Sequence, residues 1–66
     1  MRDRPTRRAR VRVAAEYLGV KPRSLADRGF RARHKIPAFK VGRALVFDMA
    51  ELDAWIKRRR EQSHVA

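Results

Sequence analysis

Val11, Ala14, Ala15 and Leu18 recur at i, i+3, i+4 and i+7, with Gly19 directly after them. The chain therefore commits early to a short helix with one apolar face, closed by the residue that best tolerates a left-handed backbone. Three residues on, Pro22 stands where a second helix can start, because the N–H it lacks is one that a first turn leaves unpaired. Leu25 is the inward residue of this segment, Val20 is the apolar residue just ahead of it, and Gly29 is expected to end it. The spacing predicts helices over about 11–18 and 22–29. Lys21 occupies the capping position where Ser, Thr, Asp or Asn is usual.

Two short helices joined by a tight glycine turn have the spacing of a helix-turn-helix, in which the second helix enters the major groove of a duplex. From Ile36 the pattern changes. Residues 36–41 and 44–47 are rich in β-branched and aromatic side chains and flank Gly42-Arg43, which predicts a hairpin with a tight turn. A two-residue loop would put Phe39, Val41, Ala44 and Val46 on one face and Leu45 and Phe47 on the other. A bulge or a longer loop is therefore expected, to gather the larger side chains inward. Asp48-Met49-Ala50-Glu51 has the form of a capping box, the strongest local start signal in the chain. Met49, Leu52 and Ile56 follow on one helix face with Trp55 beside them, and Lys57-Arg58-Arg59-Arg60 form a basic last turn suited to the negative helix end. These elements make a small α+β domain.

A chain of 66 residues with no cysteine must hold one small core by packing alone, without disulfides or thiolate metal sites. The expected core is Val11, Ala14, Ala15, Leu18, Val20, Leu25, Phe30, Phe39, Val41, Leu45, Phe47, Leu52, Trp55 and Ile56. A formal net charge of +11 points to a polyanionic partner. Its cations concentrate in residues 1–12 and 21–43, whereas Asp48, Glu51 and Asp53 cluster in the last helix. Arg23, Ser24, Asp27 and Arg28 form the polar side of the second helix, and Arg31, Arg33, His34 and Lys35 carry the charge through the loop expected after it. Lys40 and Arg43 sit at the flank and tip of the hairpin. Residues 1–10 read as a flexible basic arm, with Arg7, Arg8, Arg10 and Arg12 as further phosphate contacts, and residues 61–66 as a flexible tail around a domain at 11–60.

Each feature has a plainer reading: a solvated basic helix, a solubilising arm, a Trp55 that only packs. An acidic lipid surface is a poorer partner, since no long helix pairs a basic face with a broad apolar one, and no apolar run reaches a membrane-spanning length. Neither a signal segment nor a membrane is expected, which makes an intracellular, nucleoid-associated location the simplest one. Asp27, Asp48, Glu51 and Asp53 are accounted for by caps and helix surfaces, and His34 and His64 have no catalytic or metal-ligating company. No enzyme activity, metal or cofactor is expected.

The stretches Val13–Val20, Pro22–Leu25, Ile36–Arg43 and Phe47–Ile56 resemble, in order and spacing, the excisionase family of small winged helix-turn-helix proteins, related to the MerR-like DNA-binding domain. The resemblance covers roughly residues 11–60. It implies a two-stranded β-hairpin wing at 38–47, a groove-reading helix at 22–29 and a C-terminal helix, with Arg23, Ser24 and Arg43 matching positions that approach DNA in the family. The chain departs from the family at Arg10 and Lys21, where Ser or Thr is usual, and at Arg28 or Gly29, where a bulky apolar residue is common; Phe30 is the candidate replacement. Its loop before Ile36 is also longer.

Two jobs are implied. An excisionase, or recombination directionality factor, binds adjacent double-stranded sites cooperatively beside an attachment sequence, bends the DNA and steers a phage or plasmid integrase toward excision. A small transcriptional regulator uses the same domain at promoters. MerR-like regulators add a long dimerisation helix and an effector-binding region, for which the residues after Ile56 give no room, so the architectural job is the expected one.

Overall fold

Gly19 takes φ +79° and ψ 28°, and the turn it makes positions the first two helices against each other. Its N–H reaches back to Glu16, while the N–H of Val20 reaches the Ala15 carbonyl at 3.0 Å. This pair of reversed bonds satisfies carbonyls that the helix end would otherwise leave bare. The computed structural model describes residues 7–65. Along them run β1 (Arg8–Ala9), α1 (Val11–Leu18), α2 (Pro22–Ala26), α3 (Arg28–His34), β2 (Phe39–Val41), β3 (Ala44–Asp48) and α4 (Met49–Val65). The class is the small α+β one expected, a helix-turn-helix with a two-stranded hairpin wing and a C-terminal helix.

Where one helix was expected over 22–29, there are two. Asp27 is extended (φ −77°, ψ 123°), so α2 stops at Ala26, and its carboxylate accepts the Phe30 N–H at 2.8 Å to start α3. Gly29 is not a stop but a first-turn residue of α3, and residues 31–34, expected in a loop, are helical. The physical reason is the cap: an acid followed three residues later by an unpaired N–H starts a helix more effectively than a glycine ends one. Phe30 is half-buried and packs on the core.

β3 is the central strand of an antiparallel sheet ordered β1-β3-β2. Phe39 pairs with Val46, Lys40 with Leu45 and Val41 with Ala44, leaving the two-residue loop Gly42-Arg43 and no bulge. Gly42 has φ +62° and Arg43 does not have a positive φ, the pattern of a type II′ turn, whose twist suits the flanking strands. The register therefore leaves Phe39 and Val41 on the outer face, 39% and 58% exposed, rather than in the core. Leu45 and Phe47 turn inward with Ala9 of β1, opposite Phe47. Arg8 and Ala9, expected in the arm, are thus a strand; the arm residues before Arg7 lie outside the described residues, as does Ala66. At the other end α4 continues through Val65 instead of giving way to a tail at 61.

Ala14, Ala15, Leu25, Ile36, Phe47 and Leu52 form one buried cluster, with Val11, Leu18, Val20, Phe30, Leu45, Met49 and Trp55 packed around it, while Val46 is buried on the other sheet face. The two alanines let α1 approach Phe47 and Leu52 closely. Asp48 closes the start of α4 by accepting the Ala50 N–H at 2.9 Å, and the Met49 N–H donates to the Arg7 carbonyl at 2.8 Å. Tyr17, half-exposed, donates its hydroxyl to Asp53 and so ties α1 to α4; this bond to a carboxylate raises the phenol above its ordinary pKa. On the far side, the Trp55 indole N–H donates to the His34 carbonyl at 2.8 Å, satisfying the end of α3 from α4.

Phe47 is wholly buried at the centre of this small core. Phe47→Ala is expected to cost about 3–5 kcal/mol, as much as the whole stability of roughly 3–5 kcal/mol that a core of this size supplies. Far-UV circular dichroism at room temperature should show the variant unfolded.

Candidate nucleic-acid interface

The break at Asp27 decides which side chains meet. In α3, Arg28, Arg31 and Ala32 recur at helical spacing on one side, with Lys35 continuing that side at the cap, while Phe30 and His34 fall on the other. The first side faces the wing across a concavity of about 690 Å³ whose walls carry Arg28, Arg31 and Lys35 from the helix and Lys40 from β2. Ala26, Ala32, Ile36, Ala38, Phe39 and Leu45 complete its lining. Four cations and no acid border it, so in isolation they repel one another, and a polyanion laid in the groove relieves that repulsion.

Lys35 holds an unusual backbone for its type. At φ +56° and ψ 42° it is the only non-glycine with positive φ among the described residues, and it plays at the end of α3 the part that Gly19 plays for α1. The Lys35 N–H bonds to the Ala32 carbonyl and the Ile36 N–H to Arg31 at 3.0 Å, which drops Ile36 into the core and leaves the lysine on the groove wall. Such a conformation costs an L-residue about 1–2 kcal/mol. Strain of this kind persists where the surrounding structure over-determines it, here through the bonds of the Lys35 and Ile36 N–H groups.

The other residues singled out in the sequence separate into distinct settings. Arg23 is exposed and Ser24 half-exposed on α2, the helix whose last residue, Ala26, lines the groove, and neither is part of that lining. Asp27 is spent as the α3 cap. Arg31 lines the groove, yet its Nη1 donates to the Leu25 and Ala26 carbonyls, both at 2.9 Å. Arg33 is exposed on the side of α3 turned from the wing. His34 is half-buried against the Phe30 ring, with centroids 4.5 Å apart, and its Nδ1 lies 3.1 Å from Nη2 of Arg59. Arg59 in turn sits 5.3 Å from the centre of the Trp55 ring, a cation–π contact that accounts for the tryptophan as a packing residue. Arg43 is exposed at the hairpin tip. Arg7 and Arg12 are exposed, and Arg8 and Arg10 border a second, mainly apolar hollow on the outer sheet face with Phe39, Val41, Ala44 and Val46.

The face that a two-residue loop assigns to Phe39, Val41, Ala44 and Val46 is the one that forms this hollow. The bulge expected to gather the larger side chains inward is absent, so Phe39 and Val41 stay on the face without Phe47. No group of His, Asp or Glu among the described residues is arranged to hold a metal ion, and no helix among them is long and apolar enough to cross a membrane.

Residues 10–60 match the model of a family described as a helix-turn-helix domain. No curated protein and no solved structure matches the chain.

Replacing Lys35 by glycine removes the left-handed strain but adds the backbone entropy that glycine loses on folding, about 0.5–1 kcal/mol. The difference favours the variant: Lys35→Gly should be more stable by about 0.5–1 kcal/mol, a shift that urea denaturation resolves.

Proposed function

Starting from the fact that the chain belongs to the helix-turn-helix domain family, whose members bind DNA, we propose that it is a sequence-specific double-stranded DNA-binding excisionase. It binds adjacent sites cooperatively, bends the duplex and directs an integrase toward excision. The observation that carries the DNA reading is the groove between α3 and the wing, which no acid lines and where Arg28, Lys35 and Lys40 have no side-chain hydrogen bond among the described residues, while Arg31 on the same wall bonds to the Leu25 and Ala26 carbonyls. Phosphate oxygens are the ligands that such a set of donors takes, and contacts of this kind fix register on a duplex without reading sequence. Base reading falls to α2, where Arg23 is exposed and Ser24 half-exposed, and Arg28 completes the reading surface at the start of α3. Lys40 and Arg43 hold the sugar-phosphate backbone from the wing, while Arg33 extends positive charge along α3.

Bending and cooperativity are supported by cations outside the groove. Arg8 and Arg10 on the sheet side and Lys57, Arg58 and Arg60 along α4 are exposed and lie outside the groove lining. Those on one flank can neutralise phosphates of a duplex curving toward the domain, and those on the other can meet DNA or a neighbouring copy. The resemblance in Ile36–Arg43 and Phe47–Ile56 is common to the recombination role and the promoter-binding one, and the recombination assay below separates the two.

Competition binding with matched and scrambled duplexes from a candidate attachment region, at several salt concentrations, tests this reading. Single-stranded DNA of the same sequence should compete poorly, and duplexes with two adjacent sites should bind more tightly than twice one site predicts. Arg23→Ala is expected to cost about 1–3 kcal/mol of discrimination, the worth of a bidentate pair with guanine. Arg43→Ala and Lys35→Gly should instead weaken matched and scrambled duplexes alike and lower the salt dependence by about one counterion each. Preference for single strands, or binding insensitive to salt, would remove the assignment. In a recombination assay the protein should raise excision and leave integration unaided.

A further inference from the structure

Arg31 stands apart from the other cations of the groove. Its guanidinium is turned back along the chain, where a single nitrogen, Nη1, donates to the last two carbonyls of α2, those of Leu25 and Ala26, each at 2.9 Å. The Arg31 backbone N–H donates to the Asp27 carbonyl at 3.1 Å, and the Asp27 side chain caps α3 from the same corner. Two helices of five and seven residues meet there with one extended residue between them. A helix as short as α2 has little rigidity of its own, and its terminal carbonyls have no continuing turn to accept from. Arg31 supplies the missing donors, and its charge suits the negative end of α2.

Resting on the duplex-reading function proposed above, we infer that Arg31 is a positioning residue for sequence recognition rather than a phosphate contact. It clamps α2 to α3, so that Arg23 and Ser24 on the first helix and Arg28 and Lys35 on the second meet one duplex in a fixed relation. The clamp acts on specificity: without it each contact still forms, but not simultaneously at the spacing of the base pairs. Lysine is a poor replacement. Its ammonium is a compact, strongly hydrated charge on a shorter stem, so it reaches less far toward the Leu25 and Ala26 carbonyls and gives up more hydration to meet them.

The test begins with the free protein. Carbonyl ¹³C signals of Leu25 and Ala26 should shift in both Arg31→Met and Arg31→Lys relative to wild type, and unchanged signals would overturn the clamp whatever the protein binds. With DNA, both variants should lose about tenfold in preference for matched over scrambled duplex while keeping the wild-type salt slope. In the Arg31→Lys background Arg23→Ala should cost less discrimination than it does alone, because a misplaced Arg23 has less to lose. A phosphate contact predicts the reverse: Arg31→Lys close to wild type, and Arg31→Met weaker on both duplexes with a slope lower by about one. That result would return Arg31 to the contact set. Should Arg31→Met fail to fold, Arg31→Lys alone separates the two outcomes. If wild type shows no preference for matched duplex, the proposed function falls, while shifted Leu25 and Ala26 signals still uphold the clamp.

Discussion

A single extended residue, Asp27, governs how this domain presents its charge. Its backbone interrupts what would be one helix, and its side chain starts the next, so that the polypeptide turns a corner between Ala26 and Arg28. A continuous helix would spread the cations of residues 23–35 around its whole circumference. The corner instead sends Arg28 and Lys35 toward the wing, Arg31 back to the end of α2, and Phe30 and His34 toward α4. The groove, the packing of Phe30 and the anchoring of Trp55 all follow from that division.

Holding such a corner is demanding for a domain with so small a core, and polar bonds at helix ends do much of it. The C-terminal carbonyls of α2 are met by Arg31, that of His34 at the end of α3 by Trp55, and those of α1 by the turn at Gly19. Each short helix is too brief to be stable alone, so its ends count for as much as its apolar face. Arg59, stacked over Trp55 and close to His34, adds a cation at a point where α3 ends. The basic residues are therefore not a uniform coat: some are structural members of the corner, and others are left free to face an anion.

The wing shows a different balance. Its two-residue loop fixes a register that buries Phe47 and leaves Phe39 and Val41 exposed on the outer face. Pairing with β1 widens the ribbon to three strands and secures β3 from both edges. A hairpin of two strands is marginal by itself, and here the third strand, together with α1 and α4 packed on the inner face, gives Lys40 and Arg43 a firm base.

The sequence alone determined the local elements whose cause is local. The apolar repeat Val11, Ala14, Ala15, Leu18 with Gly19 specifies α1 and its end, Gly42 specifies the hairpin turn, and Asp48 specifies the start of α4, because each signal acts within a few residues. The concentration of cations on residues 21–43 likewise told the class of partner, since charge needs no fold to be counted. Asp27 and Gly29 were legible as residues but not as a junction: an acid and a nearby glycine read equally well as a helix surface and its stop. β1 carried too short a pattern to show, with one half-buried alanine in two residues. Only tertiary structure decided that Arg28, Lys35 and Lys40 share a groove while His34 joins α4 and Arg31 turns to the Leu25 and Ala26 carbonyls. The direction a long cationic side chain takes depends on which unpaired carbonyl or ring the fold brings within its reach, and that is set by contacts between elements far apart in the chain.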